Sequence, residues 1–166
     1  MGVNVQKSLA HIGYPNVTST LSPAEIDSLL AVQRYGHLGC SANGEVYVVP
    51  ITYIFEAGVL YSFTELGKKI EMMRKNPKVC VQVEQVKAHD HWDSAICWGT
   101  FDEITDAEEK QRVKLLLADQ FAQGEAGGDS VVSPLVSRLH ETDTHREPIL
   151  YKITIEKKTG RREKAI

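Results

Sequence analysis

Residues 45–55, EVYVVPITYIF, carry apolar side chains on both faces of an extended strand and are bounded on each side by tight-turn residues. In strand geometry, Val46, Val48, Pro50, Thr52 and Ile54 point one way, and Tyr47, Val49, Ile51, Tyr53 and Phe55 the other. A strand that is apolar on both faces has to be covered on both. In a domain of this size, one cover is the protein's own core and the other a second subunit or a ligand. Asn43-Gly44 before the strand is a strong hairpin dipeptide, and Glu56-Ala57-Gly58 after it is a second turn, leading to VLYSFT over 59–64. Pro50 has no N–H for a ladder and marks a bulge or a sheet edge.

The same alternation recurs downstream. Val79, Val81 and Val83 alternate with Cys80, Gln82 and Glu84 over 78–86, SAICWGTFDEI extends over 94–104, and ILYKITIE over 149–156. The segment KAHDHWD between the first and second of these strands is polar and reads as a loop. Two capping boxes open helices, Ser22-Pro23-Ala24-Glu25 ahead of a helix ending near Gln33 and Thr105-Asp106-Ala107-Glu108 ahead of one reaching about Phe121. The first buries Ile26, Leu29 and Leu30, the second Val113, Leu116 and Leu117. A short helix over 68–75 packs Ile70 and Met73 inward, with Met72 beside them, and stops at Asn76-Pro77. A further short helix is expected over 131–140, after the GEAGGDS loop. Residues 1–20 read as an irregular arm, and the basic run 157–166 as a mobile tail. Strands joined by tight turns with few crossover helices make a mainly β, closed or nearly closed antiparallel barrel, with helices packed outside it.

At 166 residues the chain fits one domain, and its apolar fraction of 42% is ordinary for a globular protein. A net charge of -3 gives no basic field to draw nucleic acid. There is no membrane-length apolar run and no charged-then-apolar signal pattern, so a cytoplasmic protein is expected. Cys40, Cys80 and Cys97 fall in strands without CxxC spacing and read as buried free thiols. His89-Asp90-His91 reads as a solvated loop, because two histidines so spaced on an extended segment meet one tetrahedral metal poorly; no metal site is expected. His37 reads as a structural histidine ahead of a cofactor contact, with a haem ligand last. Walker, GxGxxG and nucleophile-elbow patterns are absent.

The segment with chemistry in it is ELGKK. Lys68 and Lys69 stand at the start of the helix over 68–75, where positive side chains oppose the macrodipole unless an anion joins them. With apolar strands alongside, this points to a planar cofactor bearing a phosphate. Trp92, Trp98, Tyr47, Tyr53 and Tyr61 read as core, interface or ring-stacking residues.

The run from Gly36 to Val86 resembles the flavin-binding split-barrel family, the pyridoxamine 5'-phosphate oxidase-like group, and within it the branch similar to nitroimidazole-resistance proteins. The shared features are the strand with a mid-strand proline, the basic turn, the helix closed by Asn-Pro and the valine-rich strand. Trp92, Ser94 and Gly99, the run Ile104 to Lys110, and Thr159-Gly160-Arg161 after the closing strand also fit. The resemblance covers about residues 22–162. It implies a six-stranded split barrel, a homodimer, and FMN at the dimer interface. Position by position, Gly67, Lys68 and Lys69 match the basic phosphate-binding turn, and Ser62 and Thr64 the strand end touching the ribityl chain and phosphate. Val49, Pro50 and Ile51 match the strand whose backbone edges the isoalloxazine ring. Trp98 matches the strand that approaches the partner subunit's flavin. The true oxidases pair the lysine of the basic turn with an arginine and carry a C-terminal Arg-x-His-like setting; here the pair is Lys-Lys and the end reads TGRRE. The resemblance therefore implies flavin binding, and electron transfer to a small nitroaromatic or quinone-like compound, more than pyridoxamine-phosphate oxidation. The alternative is a haem- or flavin-carrying module without turnover of its own, with a C-terminal histidine, His140 or His145, as a haem ligand.

Overall fold

The computed structural model describes residues 18–123 and 147–164; the expected helix over 131–140, the GEAGGDS loop, His140 and His145 lie outside them. Eight strands and three helices follow one another as β1 (Thr18–Thr20), α1 (Pro23–Val32), β2 (Tyr35–Ala42), β3 (Glu45–Thr52), β4 (Ile54–Glu56), β5 (Val59–Thr64), α2 (Lys68–Lys75), β6 (Lys78–Ala88), β7 (His91–Glu103), α3 (Ala107–Gln123) and β8 (Ile149–Glu163). Among the described residues no helix is long and apolar enough to cross a membrane.

The strands form one antiparallel sheet in the order β3-β2-β6-β7-β8-β5-β4, with β1 pairing the end of β8. Its two edges, β3 and β4, are successive pieces of chain separated only by Tyr53. The run over 45–55 is thus one bent strand whose first half pairs with β2 and whose second half pairs with β5. The bend curls the sheet into a split barrel. Tyr53 fixes it, being fully buried, with its amide donating to Arg34 O and its hydroxyl to Leu30 O at 3.1 Å. Counting the bent strand once, and setting aside the three-residue β1, gives the expected six strands.

The interior is filled by Leu38, Cys40, Ile51, Val79, Val81, Val83, Ala95, Cys97, Phe101, Tyr151 and Ile153, with Ile70, Met72 and Met73 from α2. A second cluster under α3 joins Val113 and Leu117 to Ile54, Tyr61, Phe63, Ile104 and Leu150; Leu116 is only partly buried at its margin. Helix α1 carries the expected box: Glu25 N donates to Ser22 Oγ and Ser22 N to Glu25 Oε2 at 2.8 Å. It lies so close over β8 that a Cβ on Gly160 would meet Leu21 and Ile26 at 2.9 Å.

Four expectations are corrected. The second cap is Asp106 instead of Thr105, since Asp106 Oδ1 accepts from Glu109 N at 2.8 Å and the helix starts at Ala107. The polar segment 87–93 is not a loop: β6 runs to Ala88 and β7 resumes at His91, leaving a two-residue tip. Thr18–Thr20, placed in the irregular arm, is a strand on β8. Residues 157–163 are not a mobile tail but the outer half of β8, paired with β7 from Lys157 to Glu163. Their charges are held: Lys158 by Asp27, Arg162 by Asp93 and Glu25.

Candidate functional site

Strand β5 ends at Thr64, and a short turn delivers the chain to the mouth of the barrel, where α2 begins. Its N-cap, Gly67, is fully extended (φ −179°, ψ −175°) and offers no side chain to the first amides of the helix. A Cβ there would meet nothing within 4 Å, so open space lies in front of this helix end. An uncapped, open N-terminus presents unsatisfied N–H groups and the positive end of the macrodipole.

Its two lysines differ. Lys68 reaches to the start of β3, where Nζ meets Glu45 Oε1 at 2.5 Å and stands 4.9 Å from the centroid of the Tyr47 ring. The hydrogen bond to Glu45 raises its pKa above the ordinary lysine value. Lys69 is half-buried, and burial lowers its pKa; the Cys40 thiol is its one electrostatic neighbour, and among the described residues it makes no ion pair or hydrogen bond. Elsewhere, cations of similar exposure are matched, as Lys152 is with Glu109 at 2.8 Å and Lys114 with Glu147 at 2.7 Å. A partly desolvated ammonium without a counter-ion costs free energy that a bound anion would return.

The edge strand completes this side of the site. Among the described residues β3 pairs only with β2, and none of their strands covers its other edge. Pro50 sits opposite His37 in unbroken register; it marks an edge and not a bulge. Pro50 is exposed, whereas Val49 and Ile51 share with Tyr47 the inward side of the strand. Contact of Lys68 with Glu45 and Tyr47 therefore places the helix start beside the strand that carries Val49–Ile51. Thr64, half-exposed, ends the strand that leads to Gly67. Ser62 is buried, and its hydroxyl donates to Thr52 O at 2.7 Å, tying β5 to the bent strand.

Trp98 stands apart. It is registered with Cys80 on β6 and Lys157 on β8, on the outer face of the sheet with Val48. There it borders an open groove of about 360 Å³ whose apolar lining is Val46, Val48, Val79 and Cys80. Lys157 Nζ lies 5.0 Å from the Trp98 ring, and a bulge in β8 aims Glu156 at Lys78, 2.8 Å away. The sheet separates this groove from Lys68 and Lys69 of the same chain.

Sequence reasoning passed over two further residues. Glu45 neutralises Lys68; its signal is the two-residue turn that fixes it on the same face as Tyr47. Tyr151 is fully buried with its hydroxyl beside Ser62 but in hydrogen-bond geometry with nothing among the described residues; burial pushes its pKa up to about 12. Cys40 and Cys97 are buried free thiols as expected, Cys97 pushed up to about 11 by burial, while Cys80 is only half-buried. His89-Asp90-His91 is a hairpin tip with a 3.9 Å contact between the first two residues, and among the described residues no three His, Cys, Asp or Glu side chains group as metal ligands.

The family model described as "Pyridoxamine 5'-phosphate oxidase" matches residues 22–162. The chain belongs to this family. An FAD-binding protein of Mesorhizobium loti is 30% identical to this family member, with 89% of this chain and 99% of that one covered and a TM-score of 0.69. A putative 5-nitroimidazole antibiotic resistance protein of Bacteroides thetaiotaomicron shares the fold at 24% identity, with 87% and 86% covered and a TM-score of 0.62. A Rhizobium meliloti protein described as uncharacterized is 28% identical over 145 residues, 85% of this chain and 92% of its own length. The antiparallel barrel expected from the strand pattern, and the split barrel that the family resemblance implied, is thus the barrel of the oxidase family.

Proposed function

We propose that the protein is a homodimeric flavoprotein that binds FMN and passes electrons to a small redox-active compound, nitroaromatic or quinone-like. The observation that carries the reading is Lys69, a half-buried ammonium without a counter-ion among the described residues, at a helix start whose N-cap is Gly67. These residues fit a terminal phosphate. The amides after Gly67 and the Lys69 ammonium would hold it, with Lys68 at the rim and the Thr64 hydroxyl at the end of β5. A bound flavin supplies the electron-transfer chemistry. The chain supplies position: the open edge at Val49, Pro50 and Ile51 would flank the ring system, and the Ser62 bond to Thr52 keeps that edge in place. Because Ser62 spends its proton on Thr52, only its oxygen lone pairs remain for a ribityl hydroxyl. Trp98, on the far face of the sheet, would reach the flavin of a second copy only, which is why the reading includes a dimer. The relative named as FAD-binding supports a flavin in this barrel.

The test begins with the absorption spectrum of the purified protein. Paired blue and near-ultraviolet bands are expected; a Soret band would overturn the flavin reading in favour of haem. FMN and riboflavin are then titrated into flavin-free protein. Losing a charge-assisted contact costs about 1.5–3 kcal/mol, so Lys69→Ala should weaken FMN binding by about ten-fold or more and leave riboflavin unchanged. FMN affinity unaltered by that substitution removes the phosphate assignment.

A further inference from the structure

The cradle holds a carboxylate where an anion is expected to bind. Glu45 Oε1 lies 2.5 Å from Lys68 Nζ, and both side chains are about half exposed. Glu45 opens β3 directly after the Asn43-Gly44 turn, and Asn43 (φ 53°) and Gly44 (φ 79°) hold the left-handed conformations of a tight two-residue hairpin. The hairpin therefore delivers the carboxylate to the side of α2's first turn, across 23 residues of sequence. Its effect on the two lysines is unequal. Lys68 is paired, while Lys69, whose electrostatic neighbour is Cys40, has no counter-ion among the described residues.

We infer that Glu45 is a charge-selecting residue of the anion cradle, a built-in competitor that grades binding by the charge of the incoming phosphate. The inference rests on the phosphate reading of Lys68 and Lys69 and goes further in naming what limits it. An entering phosphate meets two positive groups and one negative group. The carboxylate repels a dianionic phosphomonoester more than it repels a phosphodiester carrying one negative charge per phosphate, since the Coulomb energy scales with the product of charges. It does not act on a ligand without phosphate. Glu45 therefore narrows the advantage that a terminal phosphomonoester such as FMN would otherwise hold over a dinucleotide such as FAD. Its own pairing with Lys68 is a surface ion pair of small worth, so the carboxylate yields when a better anion arrives.

Glu45→Gln isolates this effect, because the amide keeps the length of the side chain and an oxygen for Lys68 while removing the charge. The measurement is a fluorescence titration of flavin-free protein with FMN, FAD and riboflavin at low and at high salt. The expected result is FMN binding about three- to ten-fold tighter in Glu45→Gln than in wild type at low salt, a smaller gain for FAD, no change for riboflavin, and a gain that shrinks as salt screens the site. FMN affinity that is unchanged or weaker in Glu45→Gln overturns the inference and makes Glu45 a residue that merely orients Lys68. An equal gain for riboflavin overturns it too, since the effect would then not be on the phosphate. Failure of the underlying phosphate reading looks different: wild type would bind FMN no better than riboflavin, whatever stands at position 45.

Discussion

A single side chain can be wrong for the fold and right for the site, and Lys69 and Tyr151 show how to tell the cases apart. Both are polar, Tyr151 is fully and Lys69 partly removed from water, and neither has a hydrogen-bond partner among the described residues. Lys69 is only partly buried, in the first turn of a helix whose N-cap, Gly67, faces open space, so its partner can come from solution. Tyr151 is fully buried, its ring 5.5 Å from that of Phe101. An unsatisfied buried hydroxyl costs about 1–3 kcal/mol. Tyr151→Phe is therefore expected to raise stability by about 1 kcal/mol in urea unfolding, with FMN affinity unchanged; a loss of stability would show that the hydroxyl is bonded, through Ser62 or a buried water. The two residues also differ in legibility. Lys68-Lys69 was readable because lysine at a helix start contradicts the macrodipole, a conflict visible within four residues of sequence. Glu45 and Tyr151 were not, since what defines each is a contact, or a missing one, with chain far away.

At the scale of elements, the sequence was clearest where one face of a strand is apolar, and most opaque where a strand's inward positions carry charge. The valine alternation of β6 and the apolar run of β5 were legible for the first reason. The outer half of β8 was hidden for the second: Lys158, Gly160 and Arg162 are its inward positions, and no apolar period survives in them. The lysine and arginine are tolerated because their stems pack under α1 while Asp27, Asp93 and Glu25 take the charges. Arg162 donates Nε and Nη2 to Asp93 at 2.6 and 2.8 Å and Nη1 to Glu25 at 2.7 Å, so one guanidinium ties β8 to β7 and to the capping box of α1. The consequence is a pH dependence whose sign is fixed. Glu25, held mainly by its capping bonds to Ser22 and also by Arg162, is lowered from 4.5 to about 2, and Asp93 is lowered chiefly by Arg162. Carboxylates depressed in the folded state add stability that is complete above their unfolded values and is lost as pH falls through the folded ones. Melting temperatures should therefore drop between pH 4.5 and about 2 in wild type. Arg162→Met should melt lower at neutral pH and show a shallower acid slope, because its carboxylates start closer to their ordinary values. An acid slope identical to wild type would mean that the clamp is too exposed to matter.

For the molecule as a whole, the open question is what covers the outer face of the barrel. The apolar strand over 45–55 required cover on two sides, and the core supplies only one. Val46 remains 74% exposed, Val48 60%, and Ile96 and Trp98 38% each. Val48, Gly39, Cys80 and Trp98 register in one row across β3, β2, β6 and β7, with Val46 beside Val48 and Ile96 beside Trp98 on the same face, Ile96 in the row of His37 and Gln82. Each exposed side chain alone is unremarkable, but a contiguous patch of them on a monomer is a mark of an interaction surface. A stable dimer buries roughly 800 Å² per partner and prefers aromatic anchors near its centre, which Trp98 would provide. The oligomer and the cofactor are then coupled: with Trp98 facing away from its own chain's Lys69, losing the dimer should also lose part of the flavin affinity. A carboxylate in the row of Trp98 tests both at once. Wild type is expected to run as a dimer at micromolar concentration in light scattering, and Val48→Glu as a folded monomer whose FMN affinity falls by about ten-fold or more, since burying an unpaired charge at an interface costs several kcal/mol. A monomeric Val48→Glu that binds FMN as well as wild type would confine the flavin to one chain and leave Trp98 out of the site. A wild type that is itself monomeric would remove the dimer altogether.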